Sequence, residues 1–326
     1  MLRFAMISKW HVHAKGYAEF VQKQPDACIT CVWDEDAARG AAWAESLGVD
    51  FVADYDALLA REDVDAILVC TPTNMHKEVM IKAANAGKHI FTEKVLALTT
   101  ADADEIIAAI EKNGVKFSIC YPHRCMPRNL VIKQLIDDGL LGDITVMRVR
   151  NCHNGALAGW LPDYWYDPET TGGGAMMDLG AHGMYLAHWL LGEPVRIQSM
   201  FNNKLPVPVD NNAICTIEFE NKALAITETS LVSPYTPVRL EVYGTKGVAM
   251  YENDDVKFQN DFTVKYVDGG WVKPKLPAEL PHPIRQFIDG VLYGKDIIFD
   301  AKEARMLTNL MEKAYIADKE GKEVKF

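Results

Sequence analysis

Leu2-Arg3-Phe4-Ala5-Met6-Ile7, followed by Ser8-Lys9-Trp10-His11-Val12-His13-Ala14, is a short apolar run that opens into a turn and then a helical pattern. The motif recurs along the next hundred residues. Strand candidates at Leu2–Ile7, Ala27–Trp33, Ala66–Cys70, His89–Thr92 and Lys116–Cys120 alternate with helical periodicity at about 13–24, 35–47, 74–86 and 100–113. Short continuous apolar runs are strands buried on both faces, so this order predicts stacked βαβ units and a parallel sheet covered by helices. Such sheets bind ligands at the carboxyl ends of their strands. Function is therefore expected in segments 8–13, 34–36, 71–76, 93–95 and 121–124.

Beyond residue 122 the texture changes. A helix near 126–138 ends at Asp138-Gly139, and a strand follows at Asp143–Asn151. Next come an aromatic, glycine-rich loop (154–174) and a helix at about 176–191. From Val195 to about Lys265 the chain reads as consecutive strands punctuated by Asn202-Asn203, Glu220-Asn221, Gly244-Thr245 and Asp268-Gly269-Gly270. Closing helices are expected at Pro281–Leu292 and Ala301–Ala317. The fold class is α/β: a Rossmann dinucleotide-binding domain (1–122), then an α/β domain (123–326) with an open, mostly antiparallel sheet, whose C-terminal helix can pack back on the first domain. At 326 residues the chain has the length for two such cores.

A formal charge of −11 repels polyanions, which argues against nucleic acid or an anionic membrane as partner. No apolar stretch approaches the ~18 residues of a membrane span, and a cytoplasmic location is expected. The seven scattered cysteines suit reduced thiols rather than a disulfide framework. Cys28 and Cys31 have redox-pair spacing, but residues three apart on a strand face opposite sides.

A dinucleotide-binding first turn normally carries GxGxxG, which lets backbone approach a pyrophosphate at a helix N-terminus. The turn Ser8, Lys9, Trp10, His11, Val12, His13 has none of those glycines. Asp34 ends the second strand candidate about 20 residues further on, where a carboxylate accepts from ribose hydroxyls and repels a 2′-phosphate. NAD is accordingly expected over NADP. The alternative role for Asp34 is a cap on the helix that follows. At Cys70-Thr71-Pro72-Thr73-Asn74-Met75-His76, Pro72 stops the strand, Asn74 can cap the next helix, and the small polar residues leave room for a ribose or nicotinamide edge. His76 is either a cofactor contact or a solvated residue.

Ala86-Gly87-Lys88-His89-Ile90-Phe91-Thr92-Glu93-Lys94 runs from a helix end through a strand to a Glu-Lys pair. It resembles the glucose-fructose oxidoreductase and inositol dehydrogenase (Gfo/Idh/MocA) family, whose corresponding strand ends in AGKHV-x-x-EKP. The Cys70–His76 turn, Arg124, Gly139-Leu140-Leu141-Gly142-Asp143-Ile144, and Gly172-Gly173-Gly174 before Asp178-Leu179-Gly180-Ala181-His182 match it in order. The His11-Val12-His13-Ala14 turn is similar to one branch of that family, and Val95 replaces the proline of EKP. The resemblance implies NAD held between two domains, with contacts from the first turn, Asp34, Thr71, Pro72, Asn74, His76, Glu93 and Lys94. It also implies a catalytic group of Lys94, Asp178 and His182, and an open sheet that supports a homo-dimer or tetramer.

Hydride transfer from a carbinol requires loss of the hydroxyl proton. Asp178 and His182, four apart on a predicted helix, share one face, which Tyr185 continues. His182 is read as general acid/base, since an imidazole titrates near neutrality, and Asp178 as substrate ligand and tuner. Lys94 donates to the reacting oxygen. Trp160 and Trp165 offer rings to sugar C–H faces, and Asp163 or Asp167 can take hydroxyl hydrogen bonds. His153 and Arg124 are further pocket candidates. A zinc set of Asp178 and His182 with His11, His13 or a cysteine lacks a third ligand at fixed spacing, and no metal is expected. The expected activity is an NAD(H)-dependent dehydrogenase or reductase of a sugar, cyclitol or polyol. The alternatives are NAD-assisted glycoside cleavage and a non-catalytic nucleotide or sugar sensor.

Overall fold

The structure, a computed structural model, describes residues 1–326. The chain divides into two compact units, Met1–Tyr121 with Pro281–Thr308, and Pro122–Leu280 with Asn309–Phe326. The segment 281–308, assigned from sequence to the second domain, belongs to the first unit.

In the first unit the elements are β1 (Leu2–Ile7), α1 (Ala14–Gln22), β2 (Ala27–Trp33), α2 (Ala37–Leu47), β3 (Asp50–Phe51), α3 (Tyr55–Leu59), β4 (Ala66–Val69), α4 (His76–Asn85), β5 (His89–Thr92), α5 (Thr100–Asn113) and β6 (Phe117–Ile119). Their sheet runs β3-β2-β1-β4-β5-β6 with every pairing parallel, so the order reverses between β1 and β4. That is the doubly wound dinucleotide-binding topology. β4 is buried at every position, as a strand covered on both faces must be. β3 and α3 escaped the sequence reading: two residues of strand carry no measurable period. Asp36 caps α2 through the amides of Ala38 and Arg39, and Gly48 closes it in the left-handed region. Gly40 is required there, because a Cβ would meet Asp34 and the Phe51 ring.

The second unit holds α6 (Pro127–Asp137), β7 (Ile144–Cys152), α7 (Pro168–Thr171), a π-helical turn (Met176–Gly180), α8 (Ala181–Leu191), β8 (Pro194–Asn202), β9 (Asn212–Phe219), β10 (Leu224–Ser230), β11 (Arg239–Gly244), β12 (Gly247–Glu252), β13 (Asp255–Asn260) and α9 (Asp261–Tyr266). α9 replaces the end of the expected run of strands, and Asn260 starts it with a capping box. The chain then returns to the first unit with α10 (Pro283–Tyr293). Ile284, Phe287 and Ile288 of α10 enter the same apolar cluster as Phe4, Val21 and Phe91. Arg285 also grips Asp26 at 2.7 Å, and that hydrogen bond holds the carboxyl down at about 2. α11 (Ala301–Glu320) begins in the first unit and ends in the second, and β14 (Val324–Lys325) closes the chain.

The second sheet has order β13-β12-β11-β7-β10-β9-β8-β14, parallel only between β7 and β10. In β9, Ala213, Cys215 and Ile217 are buried while Ile214 and Thr216 are exposed, the alternation of a sheet covered on one face. All seven cysteines are free thiols, with Cys31 buried and Cys28 partly exposed. No helix is long and apolar enough to cross a membrane.

Candidate functional site

The β1–α1 turn does without glycine by two devices. Ser8 takes the left-handed backbone (φ 68°) that a glycine would supply, and its Oγ accepts the Trp10 N–H at 3.0 Å. Trp10 is buried rather than standing in the turn. No side chain caps the first turn of α1, and although the Ala14 N–H is taken by the His11 carbonyl at 3.0 Å, the amides that follow it form the anion-binding end of a helix.

Asp34 is neither a helix cap nor an open acceptor. Its carboxylate takes the Lys9 N–H at 2.8 Å, the Asp36 N–H at 2.9 Å, and Arg39 through Nε and Nη2. The side chain is fully buried beneath that guanidinium. It therefore ties the first turn to α2, and ribose hydroxyls meet Arg39 before they meet the carboxylate. Burial alone would lower the Arg39 pKa, but Asp34 and Glu35 outweigh it and raise the value.

In the β4 turn, Pro72 is buried and Asn74 is exposed. α4 has Met75 at its N-cap and no side-chain cap, so Asn74 does not perform the capping expected of it. His76 is buried, not solvated. Its Nδ1 lies 3.0 Å from the Val95 carbonyl and 3.2 Å from that of Leu96, and Nε2 lies 3.3 Å from that of Thr71. The ring pins the loop after β4 to the loop after β5, and burial lowers its pKa. The Thr71 hydroxyl, fully buried at the end of β4, has no hydrogen-bond partner within the protein.

After β5, Glu93 is buried at the centre of a cluster. His13 Nδ1 lies 2.6 Å from Oε1 and His11 Nδ1 3.5 Å; the Tyr17 hydroxyl donates to Oε1, and Oε2 accepts the Lys94 N–H at 3.1 Å. Burial would raise the carboxyl pKa, but His11, His13 and Lys94 overcome it and hold the value well below the usual range. Lys94 is buried, and the peptide joining it to Val95 is cis.

In the second unit the glycine run 172–174 has a steric reason. A Cβ on Gly174 would land on the Asp210 carbonyl, and one on Gly173 on the Tyr315 ring. The Asp210 carboxylate accepts the Gly174 and Met176 amides, each at 2.8 Å. The Tyr315 hydroxyl donates to Asp210 at 2.8 Å and accepts the Met177 N–H at 3.2 Å. These contacts aim the π turn that carries Asp178. Single π turns within helices are frequent at functional sites.

His182 is buried in the first turn of α8. Its Nδ1 lies 2.8 Å from the Tyr185 hydroxyl, which also accepts the His123 N–H at 3.2 Å. The His123 ring stacks on it at 4.2 Å between centroids, with 14° between planes. With its oxygen already accepting the His123 N–H, the tyrosine can donate to Nδ1 of the neutral His182 ring. Asp178 turns to another partner, with Trp165 Nε1 3.4 Å from Oδ2, a long contact. His153 stacks on Trp160 at 4.8 Å, and Arg124 lies over the Trp189 ring at 5.1 Å. Trp165 is buried and Trp160 exposed. Asp167 caps α7 and Asp163 is exposed. His123 and Tyr185 went unassigned from sequence, although 121–124 and the helix face each included one of them.

Residues 8–121 match the oxidoreductase family NAD-binding Rossmann fold, and residues 130–250 match the GFO/IDH/MocA C-terminal domain. The chain belongs to the GFO/IDH/MocA oxidoreductase family. A relative in Bacillus subtilis, scyllo-inositol 2-dehydrogenase (NAD(+)), is 30% identical over 73% of this chain and 69% of its own. The Escherichia coli D-glucoside 3-dehydrogenase is 28% identical over 70% of each chain. The structure of GenD2 from gentamicin A biosynthesis, in complex with NAD, shares the fold with TM-score 0.86 at 24% identity, covering 100% of this chain and 96% of that one. The first unit of this GFO/IDH/MocA oxidoreductase is thus an NAD-binding Rossmann domain. The reversal of strand order, the uncapped α1 and the unpartnered Thr71 hydroxyl fit a dinucleotide there.

Proposed function

We propose that this oxidoreductase is an NAD(H)-dependent dehydrogenase or reductase acting on a hydroxyl or keto carbon of a sugar, cyclitol or polyol. The observation that carries the reading is the buried His182 ring, fixed by the Tyr185 hydroxyl at Nδ1 and by the His123 stack. When bound, the nicotinamide supplies a hydride acceptor or donor. His182 takes or returns the hydroxyl proton at Nε2. Lys94 donates a hydrogen bond to the reacting oxygen and stabilises alkoxide character. Asp178 binds a substrate hydroxyl. His153, Trp160, Trp165 and Arg124 shape the place of the sugar, the exposed Trp160 ring suiting a C–H face. On the cofactor side, the 8–13 turn, Thr71, Pro72, Asn74 and Glu93 form the NAD contacts, with Asp34 and His76 supporting them from beneath.

The same proposal takes the protein as a cytoplasmic homo-oligomer, a dimer or tetramer. The open face of the second sheet presents Met200, Ile214 and Leu224 to solvent among the ion pairs Arg148–Glu228 and Arg196–Glu218, a mixed face of the kind that a second copy covers. The deciding experiment is absorbance of reduced nicotinamide across cyclitols, aldoses, ketoses and glycosides, with both cofactors. Turnover of a polyol with NAD supports the reading. Release of an aglycone without net NADH, or no turnover with any of them, refutes it.

A further inference from the structure

The turn that lacks glycines carries two histidines, and both rings converge on one buried carboxylate. The geometry points to a binding site for a divalent transition-metal cation of the zinc class, formed by His11, His13 and Glu93, with a further coordination position open beside the exposed His13 ring. The proposed hydride transfer uses these residues only as contacts of the NAD site and gives no reason for their convergence on one another.

The donor set is the first support. Two imidazoles and a carboxylate are a recognised zinc complement, and three protein ligands leave one position for water or an anionic oxygen.

Separation is the second support. Metal–ligand bonds of about 2.0–2.1 Å at tetrahedral angles place neighbouring ligand atoms roughly 3.3 Å apart. His11 Nδ1 lies 3.5 Å from Glu93 Oε1, and all three ligand atoms fall within 4.8 Å of one another. His13 Nδ1, now 2.6 Å from Oε1, has to withdraw by less than ~1 Å. Its side chain, 48% exposed, has the room.

Polarity is the third. In the neutral, ligating form of His11, Nδ1 accepts the His13 N–H at 3.2 Å and presents a lone pair beside Oε1. A nitrogen lone pair and a carboxylate oxygen at that distance are two acceptors that a cation between them would join. Around them, Tyr17 donates to Oε1 and the Lys94 amide to Oε2, the outer contacts that fix a ligating carboxylate. Glu93 is eighty residues from His13, so no local spacing could reveal it as the third ligand.

The test uses the full-length protein, stripped with a chelator and free of NAD, titrated with Zn2+ against a chromophoric chelator and with Co2+ by visible absorption. The expected result is one equivalent bound, with the d–d bands of a low-coordinate Co2+ site. His13→Ala and His11→Ala should each weaken binding by more than ~100-fold, since even outer-shell losses reach that range. His13 is half exposed, so its replacement tests the site even if Glu93→Gln fails to fold. Absence of stoichiometric binding, or unchanged affinity in His13→Ala, overturns the proposal. NAD binding measured separately keeps the two readings apart: a chain that turns over polyols but binds no metal refutes only this one.

Discussion

Asp34→Asn is the substitution whose consequence the structure defines most closely. The carboxylate receives four donors: two amides, from Lys9 and Asp36, and the Nε and Nη2 of Arg39. A carboxamide has the same shape but only one accepting atom, and its NH2 must face one of those donors. Whichever way it turns, a buried N–H loses its acceptor, at about 1–3 kcal/mol. Loss of the ion pair adds up to ~1 kcal/mol, discounted because Arg39 is 27% exposed and keeps Glu35. The total is roughly 1–4 kcal/mol, which for a unit of this size lowers Tm by roughly 2–16 °C. Scanning calorimetry without cofactor reads that directly. A repeat with saturating NAD reads the second effect: the 8–13 turn loses its tether to α2, and the stabilisation conferred by NAD shrinks. A Tm within about a degree of the parent protein would refute the assignment of Asp34 as a filled, buried acceptor.

Other consequences are equally open to measurement. Arg39→Ala uncovers the Asp34 carboxylate, so preference for NAD over NADP in a binding titration should rise about tenfold or more through repulsion of the 2′-phosphate. His182→Ala should lower kcat by about 10²–10⁴-fold and Lys94→Ala by about 10²–10³-fold in stopped-flow turnover, with NAD affinity retained in the former. Gly174→Ala forces a Cβ into the Asp210 carbonyl and should cost about 1–3 kcal/mol by urea unfolding, with loss of kcat as the π turn moves. Acidification should destabilise the fold. Burial depresses the His76 pKa below 6.5, so the unfolded chain takes up the proton first. Its contribution is complete above that value and falls by up to ~1.4 kcal/mol per pH unit below it. Glu93, also depressed, adds stability above 4.5 that is lost as pH falls through its folded value. Urea midpoints from about pH 7.5 to about pH 5 should therefore decline, less steeply in His76→Gln, and a flat profile there would contradict the His76 assignment; the Glu93 part is read in the further decline below about pH 4.5.

Strands sealed on both faces were legible because burial writes itself as an unbroken apolar run: β1, β2 and β5 have the bounds their residues suggest. β3 and β14, two residues each, write nothing, and owe their existence to neighbours already in place. The candidate site divides in the same way. His182 and Asp178 could be picked out because four residues on one helix are close whatever the rest of the chain does. Asp210 could not, since it meets the helix start across thirty-six residues. Nor could the Arg39 cover on Asp34, whose side chain looked open only while the guanidinium went uncounted. His76 invites reading as a contact by its place after β4, but three carbonyls consume it. In the glycine-free turn Ser8 holds the backbone conformation a glycine would provide, which residue type alone does not disclose.

The return of 281–308 to the first unit bears on how such a chain can be recombined. A graft cut at the end of β6 would leave a Rossmann sheet stripped of Ile284, Phe287 and Ile288, with Asp26 deprived of its arginine. Chimeras that exchange cofactor specificity between relatives have to carry two separate stretches of gene. The last of the three junctions then falls inside a continuous helix, where register must be kept to the residue.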